Sequence, residues 1–230
     1  MCDRTLYAVE VGLMNVNDIK IVEGSIDDLE NVYQRFTADF ANDELKGYEH
    51  LKQLMSKKRY KLLLAKDPII HEVVGYAFIY EFDRLQGIWL DYMAIDNQFR
   101  GTGYGALLFK KLTKWKQNGF SGIFIEVEIP EEKEGFTREN QLRRIRFYER
   151  LGAKRLPIPY QLPTNDSGLP MYLYFWPSPD VELLPKELIQ EAISEVFAYI
   201  QSDIKHKDDV LMEFYTLIED GFLYLNRLGT

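Results

Sequence analysis

The hydrophobic and polar positions of this chain change their period several times along its 230 residues. After a leader of residues 1–16, the segment from Ile19 to Gly24 has the pattern of a short strand. Ser25 and Asp28 then form a capping box, which is typical of a helix start. Apolar side chains recur at helical spacing over the next thirty residues or so. They predict two helices with one apolar side each, carried by Ile26, Leu29, Val32, Tyr33 and Phe36, and by Leu45, Leu51, Leu54 and Met55.

From Arg59 onward the pattern becomes typical of strands. Three β-branched or aromatic runs separated by short polar segments predict a three-strand meander over residues 59–66, 73–82 and 87–95. A glycine-rich segment at 100–105 leads into a predicted helix that ends at Gly119. A strand over 122–129, an acidic loop, a helix over 137–151 and two further strands over 153–162 and 171–176 follow.

The last fifty residues have a different character. Two apolar helical stripes, from Leu188 to Ile200 and from Val210 to Leu225, predict an αα-hairpin that packs on the main domain or on a partner chain. We therefore expect a leader (1–16), one mixed α/β domain (17–180) and a C-terminal helical extension (181–230). These helices are also a candidate homodimer interface.

Composition and charge exclude several classes of protein. The net charge of −8 argues against a nucleic-acid-binding protein, although most of it lies in the extension, which carries ten Asp and Glu against four Lys and Arg. The single cysteine, Cys2, excludes a disulfide framework, and three histidines leave little for a metal site, so we expect no metal. A reducing, cytoplasmic setting fits, and neither a membrane helix nor a signal peptide is predicted.

The segment from Leu90 to Leu112 carries the most chemical information. A strand leads through a polar turn into Arg100-Gly-Thr-Gly-Tyr-Gly105, which opens a helix. Glycines let backbone amides approach a ligand, and the first amides of a helix suit a phosphate or pyrophosphate. The spacing matches neither the P-loop nor the dinucleotide fingerprint. A glycine-rich turn without a ligand is the structural alternative, and a bound nucleotide is a further one.

This segment resembles the acetyl-coenzyme A signature [QR]-x-x-G-x-[GA] of the GCN5-related N-acetyltransferase (GNAT) superfamily, with Arg100, Gly103 and Gly105 at the defined positions. A second element, Arg146 to Ala153, is similar to the "FYEKLGF" helix end of that family. Over Ile19 to Trp176 the resemblance implies the GNAT acyl-CoA acyltransferase fold, of α/β (α+β) class. That fold has a mixed central sheet of about seven strands flanked by about four helices, here with the C-terminal αα-hairpin added.

The resemblance also implies where acetyl-CoA binds. The pantetheine arm would lie along the fourth strand, and the pyrophosphate would sit on the amides of the glycine-rich loop, with the Arg100 guanidinium nearby. Either Asn140 or Gln141 would touch the cofactor arm, and helix capping is the alternative for both. The implied cofactor-binding residues are Met93, Ala94, Ile95, Arg100, Gly101, Thr102, Gly103, Tyr104, Gly105, Asn140, Gln141 and Phe147.

The implied reaction is transfer of an acetyl group from acetyl-CoA to a primary amine, which needs a general acid and a general base. The acid position of the family falls on Tyr148, whose alternative role is an aromatic on a buried helix face. The histone-acetylating branch carries its base, a glutamate, where this chain has Trp89. Asp91 and Glu128 then rank nearly level as the base, Glu126 follows, and a water relay remains open. Direct transfer is favoured over a covalent route, because Cys2 is the sole thiol.

The resemblance further implies that the acceptor is a small-molecule amine, or else a peptide amine, and that it binds between residues 33–60 and 157–170. The alternative to an enzyme is a GNAT-like module that binds coenzyme A without turnover and serves regulation or interaction.

Overall fold

The computed structural model describes residues 18–40, 44–82, 84–115, 120–218 and 222–225. The predicted leader, including Cys2, and the predicted helix stop at Gly119 lie outside these residues. The helices are α1 (Ile26–Asp39), α2 (Tyr48–Met55), α3 (Tyr104–Leu112), α4 (Phe136–Arg150), α5 (Lys186–Tyr199) and α6 (Lys207–Leu217). The strands are β1 (Lys20–Glu23), β2 (Tyr60–Lys66), β3 (Val73–Glu81), β4 (Ile88–Ile95), β5 (Gly122–Glu128), β6 (Lys154–Arg155), β7 (Gln161–Pro163), β8 (Gly168–Pro177), β9 (Leu183–Pro185) and β10 (Phe222–Tyr224).

The central sheet is mixed, as the resemblance implied. Strands β1 to β4 are antiparallel neighbours in chain order, β5 lies parallel beside β4, and β8 is antiparallel to β5. The short strands β6 and β7 both pair with β8. The predicted capping box of α1 is present, since Ser25 and Asp28 satisfy each other's free amides.

Each face of the sheet has its own apolar core. One core takes in Leu29 and Phe36 of α1 and the two helices of the C-terminal extension. The other lies against α3 and α4 and holds residues such as Leu108 and Tyr148. The sheet is therefore covered on both faces, as expected for layered α/β proteins.

Three sequence-based boundaries were wrong. The strand predicted over 153–162 is two short strands, because Pro157 and Pro159 interrupt the pairing with β8. Helix α3 ends at Leu112, seven residues before the predicted glycine stop. The second helix of the extension ends at Leu217, and residues 222–224 form a strand that pairs with β9 instead.

The C-terminal extension packs on the main domain. Tyr199 of α5 lies 4.6 Å from Tyr80 of β3 between ring centroids, and Arg59 forms an ion pair with Glu195 at 2.9 Å. The Ile200 carbonyl oxygen lies 2.7 Å from Nε2 of His50 in α2. The apolar face of α5 is thus occupied within the chain. The sequence left open whether the extension packs on the main domain or on a partner chain, and the structure shows it on the main domain.

Candidate functional site

Strands β4 and β5 pair at one end only, and this decides where a ligand can enter. Their parallel register runs through Ile88↔Ile123, Trp89↔Phe124 and Leu90↔Ile125, and no pairing follows. Beyond Leu90, β4 stays on β3 and β5 stays on β8, so the two strands separate. The sheet is open from this point to the carboxyl ends of both strands.

A β-bulge lies where the strands separate. Phe78 pairs with Tyr92 and the next residue of β3, Ile79, pairs with Leu90, so Asp91 is the extra residue of β4. A bulge of this kind redirects the side chains around it. Asp91 and Tyr92 consequently both reach the face of the sheet that carries α1, where they meet Lys46 and Phe36.

The separation leaves backbone groups of β4 without a strand partner. Asp96 N donates to Val74 O, beside β3. Because backbone amides alternate in direction along a strand, the Ala94 amide also points towards β3, and the amides of Met93 and Ile95 point towards the opening. The Ile95 carbonyl accepts a hydrogen bond from Arg100 Nε at 2.9 Å. The amides of Met93 and Ile95 are therefore available to an extended ligand.

A cleft lies in this opening. Because the sheet is split here, side chains from both of its faces reach the cleft. Its lining residues are Phe40, Glu44, Lys46, Leu90, Asp91, Tyr92, Met93, Ile125, Glu126, Arg144, Tyr148, Leu162 and Met171. All three candidate segments of the sequence analysis, the fourth strand, the fifth strand and the Tyr148 helix, thus meet at one place.

Glu126 lies on the wall formed by β5. Its carboxylate accepts hydrogen bonds from Trp89 Nε1 at 3.3 Å and from the Tyr160 hydroxyl. Burial and the nearby Asp91 charge raise the pKa of Glu126 to about 7, against the opposing effects of Lys46 and these two hydrogen bonds. Glu126 can therefore gain or lose a proton near neutral pH.

The other two carboxylates of the sequence analysis have cationic partners. Asp91, whose side chain is 2% exposed, accepts hydrogen bonds from Lys46 Nζ at 3.0 Å and from the Tyr60 hydroxyl. Glu128 forms an ion pair with Arg144. Lys46 is buried, and although burial opposes its charge, Asp91, Tyr92 and Glu126 together hold its pKa above the usual range. Sequence reasoning missed Lys46, because a lone lysine between two helices carries no signal of burial.

Tyr148 lies on the opposite wall, on α4. Its ring packs in T-shaped contacts on Phe109 and Phe147, with centroids 5.6 and 5.1 Å away. Among the residues that the structure describes, its hydroxyl has no hydrogen-bond partner. Burial raises the pKa of Tyr148 to about 12, with Arg144 opposing this shift, so the hydroxyl stays protonated at neutral pH.

The glycine-rich loop leads from β4 into α3. Gly101 and Gly103 have φ of +80° and +101°, which glycine adopts without strain. Within the described part of the chain, the amides of residues 101–106 donate no hydrogen bond. The loop thus presents a run of free amides at the positive end of the α3 dipole, a typical anion site.

The side chains of this loop hold it in place. Arg100 forms an ion pair with Asp39 and also bonds the end of β4, while the Tyr104 hydroxyl donates to Asp67. Thr102 Oγ1 donates to the Phe99 carbonyl. These side chains are used within the protein, which leaves the backbone amides as the groups that face a ligand.

The remaining predicted residues lie on α4. Phe147 packs beside Gly105, where an added Cβ would be 3.4 Å from the Phe147 ring. Gln141 Oε1 accepts from the Glu131 amide at 2.9 Å, which ties it to the acidic loop. Asn140 is partly buried one residue earlier. The structure thus places Phe147 beside the glycine-rich loop and Gln141 against the β5–α4 connection.

A family model described as "Acetyltransferase (GNAT) domain" matches residues 58–152, which hold β2 to β5, α3 and α4. The match covers the glycine-rich loop and α4, the two segments that carry the resemblance. The resemblance noted from the two motifs is thereby confirmed, and so is the fold class.

Individual relatives agree with this assignment. The Bacillus subtilis (strain 168) protein named "Putative acetyltransferase YjbC" is 29% identical over 183 residues, which cover 78% of this chain and 84% of that protein. A GNAT-family structure from Bacteroides thetaiotaomicron has a TM-score of 0.63 at 23% identity, covering 79% of this chain and 98% of the other. Arabidopsis thaliana NAA60, solved in complex with acetyl-CoA, has a TM-score of 0.51 at 14% identity, covering 69% and 97%. These structures share the GNAT fold.

Among the residues that the structure describes, no three His, Cys, Asp or Glu side chains come together in a way that would hold a metal ion. No helix within those residues is long and apolar enough to cross a membrane.

Proposed function

We propose that this protein transfers the acetyl group of acetyl-CoA to a primary amine within one complex of protein, acetyl-CoA and amine. The observation that carries the proposal is the opening between β4 and β5, with Glu126 on one wall and Tyr148 on the other. A base and an acid on opposite walls of one cleft suit a reaction in which one group must lose a proton and another must gain one.

The backbone around the opening fits acetyl-CoA. The free amides of Met93 and Ile95 would pair with the pantetheine arm as a neighbouring strand would. The free amides of residues 101–106 would hold the pyrophosphate at the start of α3. When bound, acetyl-CoA supplies a thioester carbonyl carbon that an amine can attack.

We assign the general base to Glu126. Asp91 and Glu128 are each neutralised by a cation, whereas Glu126 receives hydrogen bonds from neutral donors and titrates near pH 7. Trp89, which stands where the histone-acetylating branch has its glutamate, donates its indole N–H to Glu126. The chain would thus supply from β5 the carboxylate that this branch supplies from β4.

Glu126 and Tyr148 together provide the proton transfers that the reaction needs. Glu126, directly or through one water, takes a proton from the acceptor ammonium, and the neutral nitrogen forms a bond to the acetyl carbon. The carbon–sulfur bond breaks, and the Tyr148 hydroxyl gives its proton to the departing sulfur. The nitrogen loses its second proton as it becomes the amide, and this proton passes through solvent in the cleft to the Tyr148 oxygen. Solvent then removes the proton from Glu126.

The acceptor we propose is a small primary amine. Apolar and aromatic side chains, among them Phe40, Tyr92, Leu162 and Met171, line the cleft beside Glu126. Phe40 and Leu162 come from the two segments expected to form the acceptor pocket. A peptide amine is the other acceptor to be tested. The single cysteine of the sequence supports a reducing, cytoplasmic setting for this reaction.

The test is release of free thiol from acetyl-CoA across a panel of diamines, amino acids and short peptides, with the acetylated product identified by mass spectrometry. Glu126→Gln should lower kcat/KM by about 10²- to 10⁴-fold, as expected for loss of a general base. Glu132→Gln, in the exposed acidic loop, is the matched control and should leave the rate unchanged.

The other outcomes separate the alternatives. Tight coenzyme A binding with no thiol release for any amine would favour the non-catalytic module. A higher affinity for ATP or NAD than for coenzyme A would favour a nucleotide site at the glycine-rich loop. Full activity of Glu126→Gln at every pH would contradict the assignment of the base.

A further inference from the structure

The cleft contains two neighbouring carboxyl groups and one buried ammonium group. Leu90↔Ile125 is the last pair between β4 and β5, so Asp91 and Glu126 are the first residues beyond it on the two strands. Both line the cleft, together with Lys46. If both carboxylates were ionised, this set of three groups would carry a net negative charge in a partly dry site, which is costly.

The two carboxyl groups have different partners. Asp91 receives one hydrogen bond from a cation, Lys46, and one from the neutral Tyr60. Glu126 receives hydrogen bonds from Trp89 and Tyr160, both of which are neutral. A cation stabilises a carboxylate more strongly than a neutral donor does. A proton shared between the two groups therefore resides on Glu126.

The remaining charged and titratable groups around Glu126 do not reverse this order. Arg144 is paired with Glu128, so those charges balance. Burial raises the pKa of Tyr60, Tyr92, Tyr148 and Tyr160 above the usual tyrosine value, which keeps them neutral. The groups that face Glu126 from the neighbouring elements are Glu44, Lys46, Tyr60, Asp91, Tyr92, Glu128, Arg144, Tyr148 and Tyr160.

We propose that Lys46 and Asp91 are positioning residues that decide which cleft carboxyl carries the proton and thereby set the pH range in which the enzyme works. This inference rests on the proposed role of Glu126 as the base. The Asp91 carboxylate opposes ionisation of Glu126, and the Lys46 ammonium promotes it. Lys46 and Asp91 are paired with each other at 3.0 Å, through a contact that does not involve the reacting atoms.

The direction of each effect follows from the charges. Burial and Asp91 raise the pKa of Glu126 to about 7, so the base is ionised and active above that pH and protonated below it. Removing the Asp91 charge leaves Lys46 beside Glu126, which favours the ionised base at lower pH. Removing the Lys46 charge leaves two carboxyl groups together, which moves ionisation of the second one to higher pH.

The experiment measures kcat/KM against pH with one acceptor amine. Because the acceptor is the same throughout, its own titration cancels between variants. In Asp91→Asn the acid limb should move to lower pH by about one unit or more, and in Lys46→Met it should move to higher pH by a similar amount. Lys46→Arg keeps the charge and should stay near the wild-type profile.

Lys61→Met is the matched control. Lys61 also forms an ion pair with a carboxylate, Glu23, at 2.7 Å, but it lies away from the cleft lining. Its acid limb should coincide with that of the wild type. Loss of one partner from a buried ion pair can be strongly destabilising. If one of the variants Asp91→Asn and Lys46→Met does not fold, the other still tests the proposal.

A second measurement needs no substrate. The side-chain carboxyl carbon of Glu126 is labelled with ¹³C glutamate, identified as the signal missing in Glu126→Gln, and titrated by NMR in each variant. Its midpoint should fall in Asp91→Asn and rise in Lys46→Met.

The results distinguish this inference from the proposed function. If Glu126→Gln retains the full activity, the assignment of the base fails. If Glu126→Gln loses activity but the acid limbs and NMR midpoints of Asp91→Asn and Lys46→Met coincide with the wild type, the base stands and the role of the pair is refuted. The role of the pair would also be refuted if the acid limbs of Asp91→Asn and Lys46→Met moved in the same direction.

Discussion

At the scale of single residues, the acid and base chemistry of the cleft depends on the partner of each side chain, because residues of one type have different partners there. Three carboxylates of β4 and β5 reach the region of the opening, yet Asp91 and Glu128 are paired with cations and Glu126 is not. Tyrosines differ in the same way. The Tyr60 and Tyr160 hydroxyls donate to Asp91 and Glu126, whereas Tyr148 lines the cleft and its hydroxyl donates to none of the described groups. A proton donor for the reaction needs such an unengaged group.

Tyr148→Phe should lower kcat by about 10²-fold or more with little effect on KM for acetyl-CoA, because it removes the proton given to the departing sulfur and leaves the ring packing on Phe109 intact. Steady-state kinetics measure this. Tyr174→Phe is the matched control, since Tyr174 is also buried but donates to Glu149 at 3.0 Å, away from the cleft lining. Equal losses in the two variants would contradict the role of Tyr148.

At the scale of elements, the site is produced by strands that part and a helix that begins beside them. β4 is held to β3 along its length, while β5 is held to β8, so the gap between them persists without a ligand. The ion pair between Arg100 and Asp39 ties the start of the glycine-rich loop to α1, and Tyr104 ties the start of α3 to Asp67. The loop amides are thereby held in place before acetyl-CoA binds, which reduces the entropy lost on binding.

Gly103→Ala should raise KM for acetyl-CoA by about 10-fold while kcat changes less. An added Cβ would meet nothing within 4 Å, but φ of +101° is strained for alanine by about 1–2 kcal/mol, and the loop would shift to relieve it. Gly47→Ala is the matched control, because Gly47 also precedes a helix in open space but has φ of −64°. Isothermal titration with coenzyme A gives the same comparison without turnover. An unchanged affinity in Gly103→Ala would show that the loop conformation does not matter for the cofactor.

At the scale of the whole molecule, the C-terminal extension belongs to the core that supports the site. Phe197 of α5 is fully buried and its ring lies 6.3 Å from that of Tyr160, the residue whose hydroxyl bonds Glu126. Ile189, Val196 and Phe214 lie in the same apolar core as α1 and the sheet. We therefore expect the domain and the extension to unfold together.

Phe197→Ala should destabilise the protein by about 3–5 kcal/mol, the usual cost of a large cavity in a core. Urea unfolding followed by tryptophan fluorescence, which reports the buried Trp89, should show one cooperative transition at a lower midpoint. Met212→Ala on α6, where the side chain is 63% exposed, should leave the midpoint almost unchanged. Two separate transitions in the wild type would mean that the extension folds as an independent unit.

Much of the fold could be predicted because it is encoded in short segments. The capping box of α1, the meander of β2 to β4 and the turn from β4 into α3 each depend on residues close together in the chain. The errors fell where the outcome depends on distant partners. Residues 222–224 form a strand because residues 183–185 lie beside them, and nothing local in their sequence indicates this.

The sequence by itself determined the family signature, the glycine-rich loop and the set of candidate acids and bases, because local spacing specifies a turn and a helix start. Only the tertiary structure decided how the three carboxylates differ. It placed Lys46 beside Asp91 and Arg144 beside Glu128, and left Glu126 with Trp89 and Tyr160. The physical reason is that the ionisation of a carboxyl group follows from burial and from charges within a few ångströms, and those neighbours come from positions 16 to 45 residues away in the chain.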